Sequence, residues 1–202
     1  MLHIGLTGGI ASGKSTVVTM LREFGAGIVD CDVIAHDVVL PGTKGLAAVA
    51  AAFGPKALCE DGSMDRAYIG SLVFQDKAKK AELEGLLFPL IHDGIEREIR
   101  KIEEDKKNSV IFLDMPLLYE IKYNSYVDET WLVYVDPKTQ LLRLMKRNGY
   151  SETEALARIH AQLPIDEKRS LAQVVIDNNG SPEATRAQVK AAWQDLMNRI
   201  EM

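Results

Sequence analysis

Apolar positions along the chain fall into two rhythms. Short apolar runs at 3–7, 27–31, 110–113, 130–135 and 174–176 have strand length, and stretches with helical spacing separate them. Strands alternating with helices predict an α/β fold with about five strands in a parallel sheet and crossover helices. The first run ends in a glycine-rich turn, and a helix is expected over 14–24 with Gly25 as its stop. A second helix fits 33–39, closed by Pro41-Gly42, and an alanine-rich third fits 43–53, up to Gly54. The texture of 55–63 is that of a loop containing Asp61-Gly62. From 65 to about 107 the pattern is helical throughout, with Pro89 as a kink or break. Asp136-Pro137 resembles an N-cap followed by proline at the first helical position, opening a helix that runs to Arg147. Ser151 and Glu154 match a capping box for a helix over 152–162, and Ser181-Pro182 starts a terminal helix to about 200.

A length of 202 residues suits one compact domain, and the bulk composition is that of a globular protein, with 47% hydrophobic and 26% charged residues. The net charge of −5 argues against a nucleic-acid partner, because backbone phosphates demand a basic surface. No apolar run reaches the roughly 18–20 residues that span a bilayer. The opening Met1-Leu2-His3-Ile4-Gly5 lacks the basic and apolar regions of a secretion signal, so no membrane partner and a cytoplasmic monomer are expected. Cys31 and Cys59 lack metal-site spacing and are expected as free thiols.

The first candidate chemistry lies in Gly8-Gly9-Ile10-Ala11-Ser12-Gly13-Lys14-Ser15, which satisfies G-x-x-x-x-G-K-[ST] between a strand and a helix. Glycines let backbone N–H groups converge on phosphate oxygens, and the following helix offers free N–H groups and a positive dipole end. Lys14 is placed to reach the β- and γ-phosphates of ATP, and the Ser15 hydroxyl to hold Mg²⁺. Lys14 is expected at the surface of the pocket, where its removal would hardly change stability. A plain glycine-rich turn is the bland alternative.

The loop by itself fits a kinase, a GTPase or a motor ATPase, but no N-K-x-D guanine-reading motif follows. Asp30 and Asp32 are two apart on what reads as extended chain, so both carboxylates would face one side at the carboxyl end of the sheet. One could accept the proton of an attacking hydroxyl; alternatively the pair belongs to a loop and a helix cap. Val110–Leu113 followed by Asp114 resembles a Walker-B strand, or a buried strand closed by a turn aspartate. Arg143 and Arg147 are one helical turn apart and could clamp phosphates, or could simply complement a helix C-terminus. Two other classes stay open on residues alone: a different small-molecule or nucleoside monophosphate kinase, and a nucleotide-dependent switch that binds a protein partner.

Taken together, these segments resemble the dephospho-CoA kinases. The resemblance runs through Gly5–Ile10 and Ser12–Thr16, then Asp30-Cys31-Asp32, Phe53-Gly54, Asp61-Gly62, Asp65-Arg66 and Val73-Phe74. It continues through Asp114–Glu120 (D-x-P-L-L-[FY]-E), Gln140, Arg143 and Arg147 (Q-x-x-R-x-x-x-R), Gln162 and Asp177-Asn178, covering about residues 4–180. It implies a P-loop three-layer α/β sandwich with a core of 1–57, 108–146 and 166–202, a helical acceptor-binding insertion at 58–107 and a lid at 147–165. It implies transfer of the ATP γ-phosphoryl to the ribose 3′-hydroxyl of dephospho-CoA, the last step of coenzyme A biosynthesis, with Mg²⁺. Asp32, Lys14 and Arg147 are the implied catalytic groups, Asp32 as base and Arg147 from a mobile lid. ATP is implied to lie on Gly9, Ala11, Ser12, Gly13, Lys14, Ser15, Thr16, Arg143, Arg147 and Asn178, the last near the adenine. The acceptor is implied to meet Thr7, Asp32, Arg66, Phe74, Pro116 and Leu118. Three positions depart from the family pattern: Cys31 replaces a small residue, Phe88 a histidine and Ala11 a glycine. A methyl at Ala11 is tolerable if the backbone torsion there is negative.

Overall fold

The computed structural model describes residues 1–105 and 108–201; the expected boundaries at 107 and 202 lie outside the described residues. Five strands, β1 (Leu2–Gly8), β2 (Gly27–Asp30), β3 (Val110–Asp114), β4 (Glu129–Tyr134) and β5 (Val174–Asp177), form one sheet in the order β2-β3-β1-β4-β5. β1 is central and pairs in parallel with β3 on one side and β4 on the other, with Leu6 opposite Asp114 and Trp131. β4 pairs in parallel with β5. The carboxyl end of β1, where its two neighbours diverge, is the position at which open α/β sheets bind ligands.

The helices are α1 (Lys14–Glu23), α2 (Cys31–Asp37), α3 (Lys44–Phe53), α4 (Arg66–Gln75), α5 (Lys77–Asp105), α6 (Pro137–Asn148), α7 (Glu152–His160), α8 (Ile165–Leu171) and α9 (Pro182–Glu201). Alternation along the strands assigns the two sheet faces. Ile4, Leu6, Phe112, Trp131, Val133 and Ile176 pack with Val17 and Leu21 of α1 and Val189 and Leu196 of α9. Leu132 and Tyr134 join Ile165 of α8 in a separate cluster, which gives the three layers. Phe112 meets Trp131 edge to face at 5.1 Å, a pairing worth about 0.5–1.5 kcal/mol beyond area burial.

By its contacts the chain divides into two compact units, Asp30–Lys101 and the remainder, Met1–Val29 with Ile102–Met202. The smaller unit has its own core, where Val49, Ala57 and Ile69 pack with Phe53, Tyr68 and Leu83. Its helices depart from the expected continuous stretch at one place: the break falls at Asp76, not at Pro89. The Asp76 carboxylate accepts from the N–H groups of Ala78 at 2.8 Å and Lys79 at 3.2 Å, capping α5. Pro89 lies inside α5, and both it and Gly85, whose carbonyl loses its helical donor, face solvent. Water can satisfy that carbonyl, so the helix continues. Cys31 is buried, Cys59 is exposed, and no disulfide joins them. No helix among the described residues is long and apolar enough to cross a membrane.

Candidate active site

β1 runs straight into the glycine-rich loop, and α1 begins at Lys14. Gly13 precedes the helix with φ +89°, and a Cβ there would collide with the Asn178 amide. The loop turns back on itself where Ser12 N–H donates to Gly9 O at 3.0 Å. Ala11 sits in that bend with φ +60°. The negative torsion expected for its methyl is therefore not adopted, because the reversal needs a left-handed residue. Alanine pays about 1 kcal/mol for this conformation.

Side chains from three other parts of the chain grip the loop, one in α6, one between α7 and α8 and one just after β5. Gln140 of α6, almost fully buried, donates to Ile10 O at 2.9 Å, and Ile10 N–H donates to Gln162 Oε1 at 2.9 Å. Asn178, just after β5, donates to Ser12 O at 2.7 Å and accepts from Thr185 Oγ1 at 2.7 Å. Gln140 reaches its partner by lying across the bare Cα of Gly9, where a Cβ would meet the amide.

Lys14 lines the cavity as expected, but it is held in an ion pair, so the expectation that its removal would hardly change stability does not hold. Its ammonium donates to Asp114 at the end of β3, and the two side chains are 17% and 14% exposed. An ion pair of this burial forms because each charge, taken out of water, needs a partner. Above the loop lies a cavity of about 850 Å³ lined by residues 8–16, Pro116, Arg143, Lys146, Arg147, Gln162, Asn178, Gly180 and Pro182. Among these described residues the charged groups are Lys14, Arg143, Lys146 and Arg147, all cations, in a chain of net charge −5. Such a cavity selects a compact polyanion. Arg143 donates to Asn178 O at 3.0 Å, and Arg147 donates to Asn148 Oδ1 at 2.8 Å.

Of the residues expected to hold ATP, Gly9, Ala11, Ser12, Gly13, Lys14, Ser15, Thr16, Arg143, Arg147 and Asn178 all line this cavity, as does Pro116. Thr7 is fully buried, its hydroxyl donating to Pro116 O at 3.0 Å. Leu118 is fully buried beneath Gly5, whose Cβ would come within 2.8 Å of it. In the Asp30–Lys101 unit, β2 ends at Asp30 and the helix starts at Cys31, so the two aspartates do not share an extended segment. Asp30 caps α2, accepting from Val33 N–H at 3.0 Å, while Asp32 is exposed in the first turn. Arg66 opens α4, and Phe74, near its end, is 92% exposed.

The sequence pattern gave no role to Lys146, Gln162, Glu120 or Lys168. Lys146 carries a signal, since it lies between two arginines already singled out. Lys168 carries none: it sits in a charged stretch, yet is fully buried. Its ammonium donates to Pro116 O and to Glu120 Oε1, each at 2.8 Å. Burial drives its pKa below the ordinary lysine value, opposed by Glu120 and reinforced by the charge of Lys14. Glu120 Oε1 also accepts from Leu163 N–H at 2.9 Å.

A glycine-cradled anion site at the carboxyl end of a central parallel strand, followed by a lysine and a hydroxyl, defines a P-loop nucleotide-binding protein of the kinase type. The family model for dephospho-CoA kinase matches residues 2–183. A dephospho-CoA kinase of Carboxydothermus hydrogenoformans is 48% identical over 197 residues, 95% of each chain. The crystal structure of TT1252 from Thermus thermophilus superposes with a TM-score of 0.84 at 33% identity, covering 96% of this chain and 97% of that one. Dephospho-CoA kinase from Campylobacter jejuni gives a TM-score of 0.68 at 27% identity, covering 96% of each. The chain belongs to the dephospho-CoA kinase family.

Proposed function

We propose that this protein transfers the γ-phosphoryl group of ATP to the ribose 3′-hydroxyl of dephospho-CoA, releasing coenzyme A and ADP. The observation that carries the ATP half of this reading is the cavity over the phosphate loop, whose charged lining is wholly cationic. The family supplies the acceptor. Loop N–H groups and Lys14 hold the β- and γ-phosphates, and Lys14 exchanges its Asp114 contact for them. Arg143, Lys146 and Arg147 neutralise charge on the transferring group. The acceptor hydroxyl gives its proton to Asp32 as the new O–Pγ bond forms and the bond to the ADP oxygen breaks. Arg66 and the exposed aromatic ring of Phe74 hold the acceptor; Thr7 and Leu118, expected to touch it, are fully buried and instead support the turn after β3 from beneath, Thr7 through the Pro116 carbonyl.

Mg²⁺ takes few protein ligands beside substrate phosphates, and prefers oxygen. The Ser15 hydroxyl and the Asp114 carboxylate are donors of that type, so the residues present fit the ion. When bound, it would neutralise charge across the β- and γ-oxygens. The residues 147–165 act as a lid and 58–107 as the acceptor region in this reading, and the enzyme works as a cytoplasmic monomer. The test is incubation of dephospho-CoA with Mg·ATP and assignment of the product by phosphorus NMR. One ADP per new phosphomonoester on the ribose 3′ oxygen is expected; phosphate at any other position would overturn the reading.

A further inference from the structure

The phosphate loop bends through a residue that resists the bend. Ala11 holds φ +60°, which a glycine would adopt freely and an L side chain does not. Such a conformation persists only where its surroundings over-determine it. Here the peptide planes on both sides of Ala11 are pinned. The plane between Ile10 and Ala11 sets φ, and its carbonyl accepts from Gln140 at 2.9 Å. The plane between Ala11 and Ser12 sets ψ, and its N–H donates to Gly9 O at 3.0 Å. One plane earlier, Ile10 N–H is held by Gln162 at 2.9 Å.

Gln162 is itself anchored from below. The next residue, Leu163, donates its N–H to Glu120, and Glu120 is held by the buried Lys168 ammonium. That ammonium also binds the Pro116 carbonyl at the cavity wall. A continuous set of hydrogen bonds thus ties the loop crest to the segment between α7 and α8 and to the turn after β3.

We propose that Gln140 and Gln162 are positioning residues for Mg·ATP: they clamp Ile10 at its carbonyl and its N–H, so that the strained loop at Ala11 stays in its phosphate-ready shape. The proposal rests on the reading that Mg·ATP binds this loop. Loop amides stabilise charge only when already aimed, since reorganising them on binding consumes affinity. Without the clamp, Ala11 would relax toward a negative torsion and swing the loop amides off their target. A glycine at this position would populate both signs of φ about equally and would need the clamp far less.

The experiment compares Gln162→Ala in the natural chain and in an Ala11→Gly background. Gln162 is only half-buried, so its truncation leaves the core untouched; Gln140→Ala, measured the same way, is the second probe. Mg·ATP dissociation constants come from calorimetric titration, steady-state assays give KM for ATP and kcat, and thermal unfolding reports the fold. Gln162→Ala is expected to weaken Mg·ATP binding about tenfold, or about 1.4 kcal/mol, and to raise KM for ATP more than it lowers kcat. In the Ala11→Gly background the loss is expected to shrink below about threefold, while the melting temperature falls equally in both. Unchanged binding in Gln162→Ala, or an equal loss in both backgrounds, would overturn the clamp. Failure of the natural chain to bind Mg·ATP would overturn the reading beneath it, and the clamp with it.

Discussion

Lys14 shows how one residue serves both fold and site. Its spacing after Gly13 announces phosphate chemistry, yet its charge is also paired with Asp114. Removing it leaves a carboxylate with 14% exposure and no cation. Lys14→Ala is therefore expected to abolish detectable phosphoryl transfer and also to lower stability by about 1–3 kcal/mol, read by urea unfolding. A variant as stable as the natural protein would show that the ion pair carries no weight. Asp30 and Asp32 separate in the same way once their backbone is known. Asp30 is a helix cap, so Asp30→Ala should cost about 0.5–2 kcal/mol of stability, while Asp30→Asn keeps the cap. Asp32→Asn is expected to lower kcat by about 10²–10⁴-fold with Mg·ATP affinity nearly kept. If Asp30→Asn damages kcat more than Asp32→Asn, the base has been assigned to the wrong carboxylate. The loop's spacing and its glycines were legible from residue types alone. The torsion of Ala11 was not, because it depends on where Gln140 and Gln162 place their amides, and those residues are 129 and 151 positions away in the chain.

Among the elements, α8 is where reading the sequence falls short. Ile165-Asp166-Glu167-Lys168-Arg169-Ser170-Leu171 has four consecutive charged or ionisable side chains and no apolar stripe, so nothing marks it as packed. It packs because Ile165 enters the cluster under β4 and Lys168 meets two acceptors that exist only in the folded chain. Breaking a buried pair from one side leaves the other charge stranded. Lys168→Met is expected to destabilise the protein by about 3–5 kcal/mol, and pairing it with Glu120→Leu should recover part of that loss in urea unfolding. Additive losses in the double variant would mean the two side chains are energetically independent. By contrast, α6 and α7 were readable to within a residue or two, since Asp136-Pro137 and the Ser151–Glu154 capping box are local signals. The break between α4 and α5 was also written locally, in Asp76, but Pro89 drew the attention. Here the carbonyl that Pro89 strands, at Gly85, faces water, and the helix runs on through the proline.

For the whole molecule, the order of strands and helices followed from alternating apolar runs, and the α/β class with it. The central position of β1 did not, because pairing order depends on contacts that periodicity does not encode. That position makes the rest intelligible: the loop after β1 receives Asp114 from the end of β3 and Asn178 from the end of β5, so distant segments converge on one cavity. The residues 30–101 form a unit with its own core, an exposed arginine at the start of α4 and an exposed phenylalanine near its end. A monophosphate acceptor needs little surface of this kind, whereas a ligand with a pyrophosphate and a pantetheine arm can use it. Remote contacts of that sort raise kcat as well as affinity when they orient the reacting hydroxyl. Two contacts of about 1.4 kcal/mol each already amount to roughly a hundredfold. The most direct measurement is a coupled ADP-release assay with dephospho-CoA and AMP run side by side on the same enzyme. The kcat/KM for dephospho-CoA is expected to lie at least about 10²-fold above that for AMP; equal turnover of the two acceptors would contradict dephospho-CoA as the acceptor.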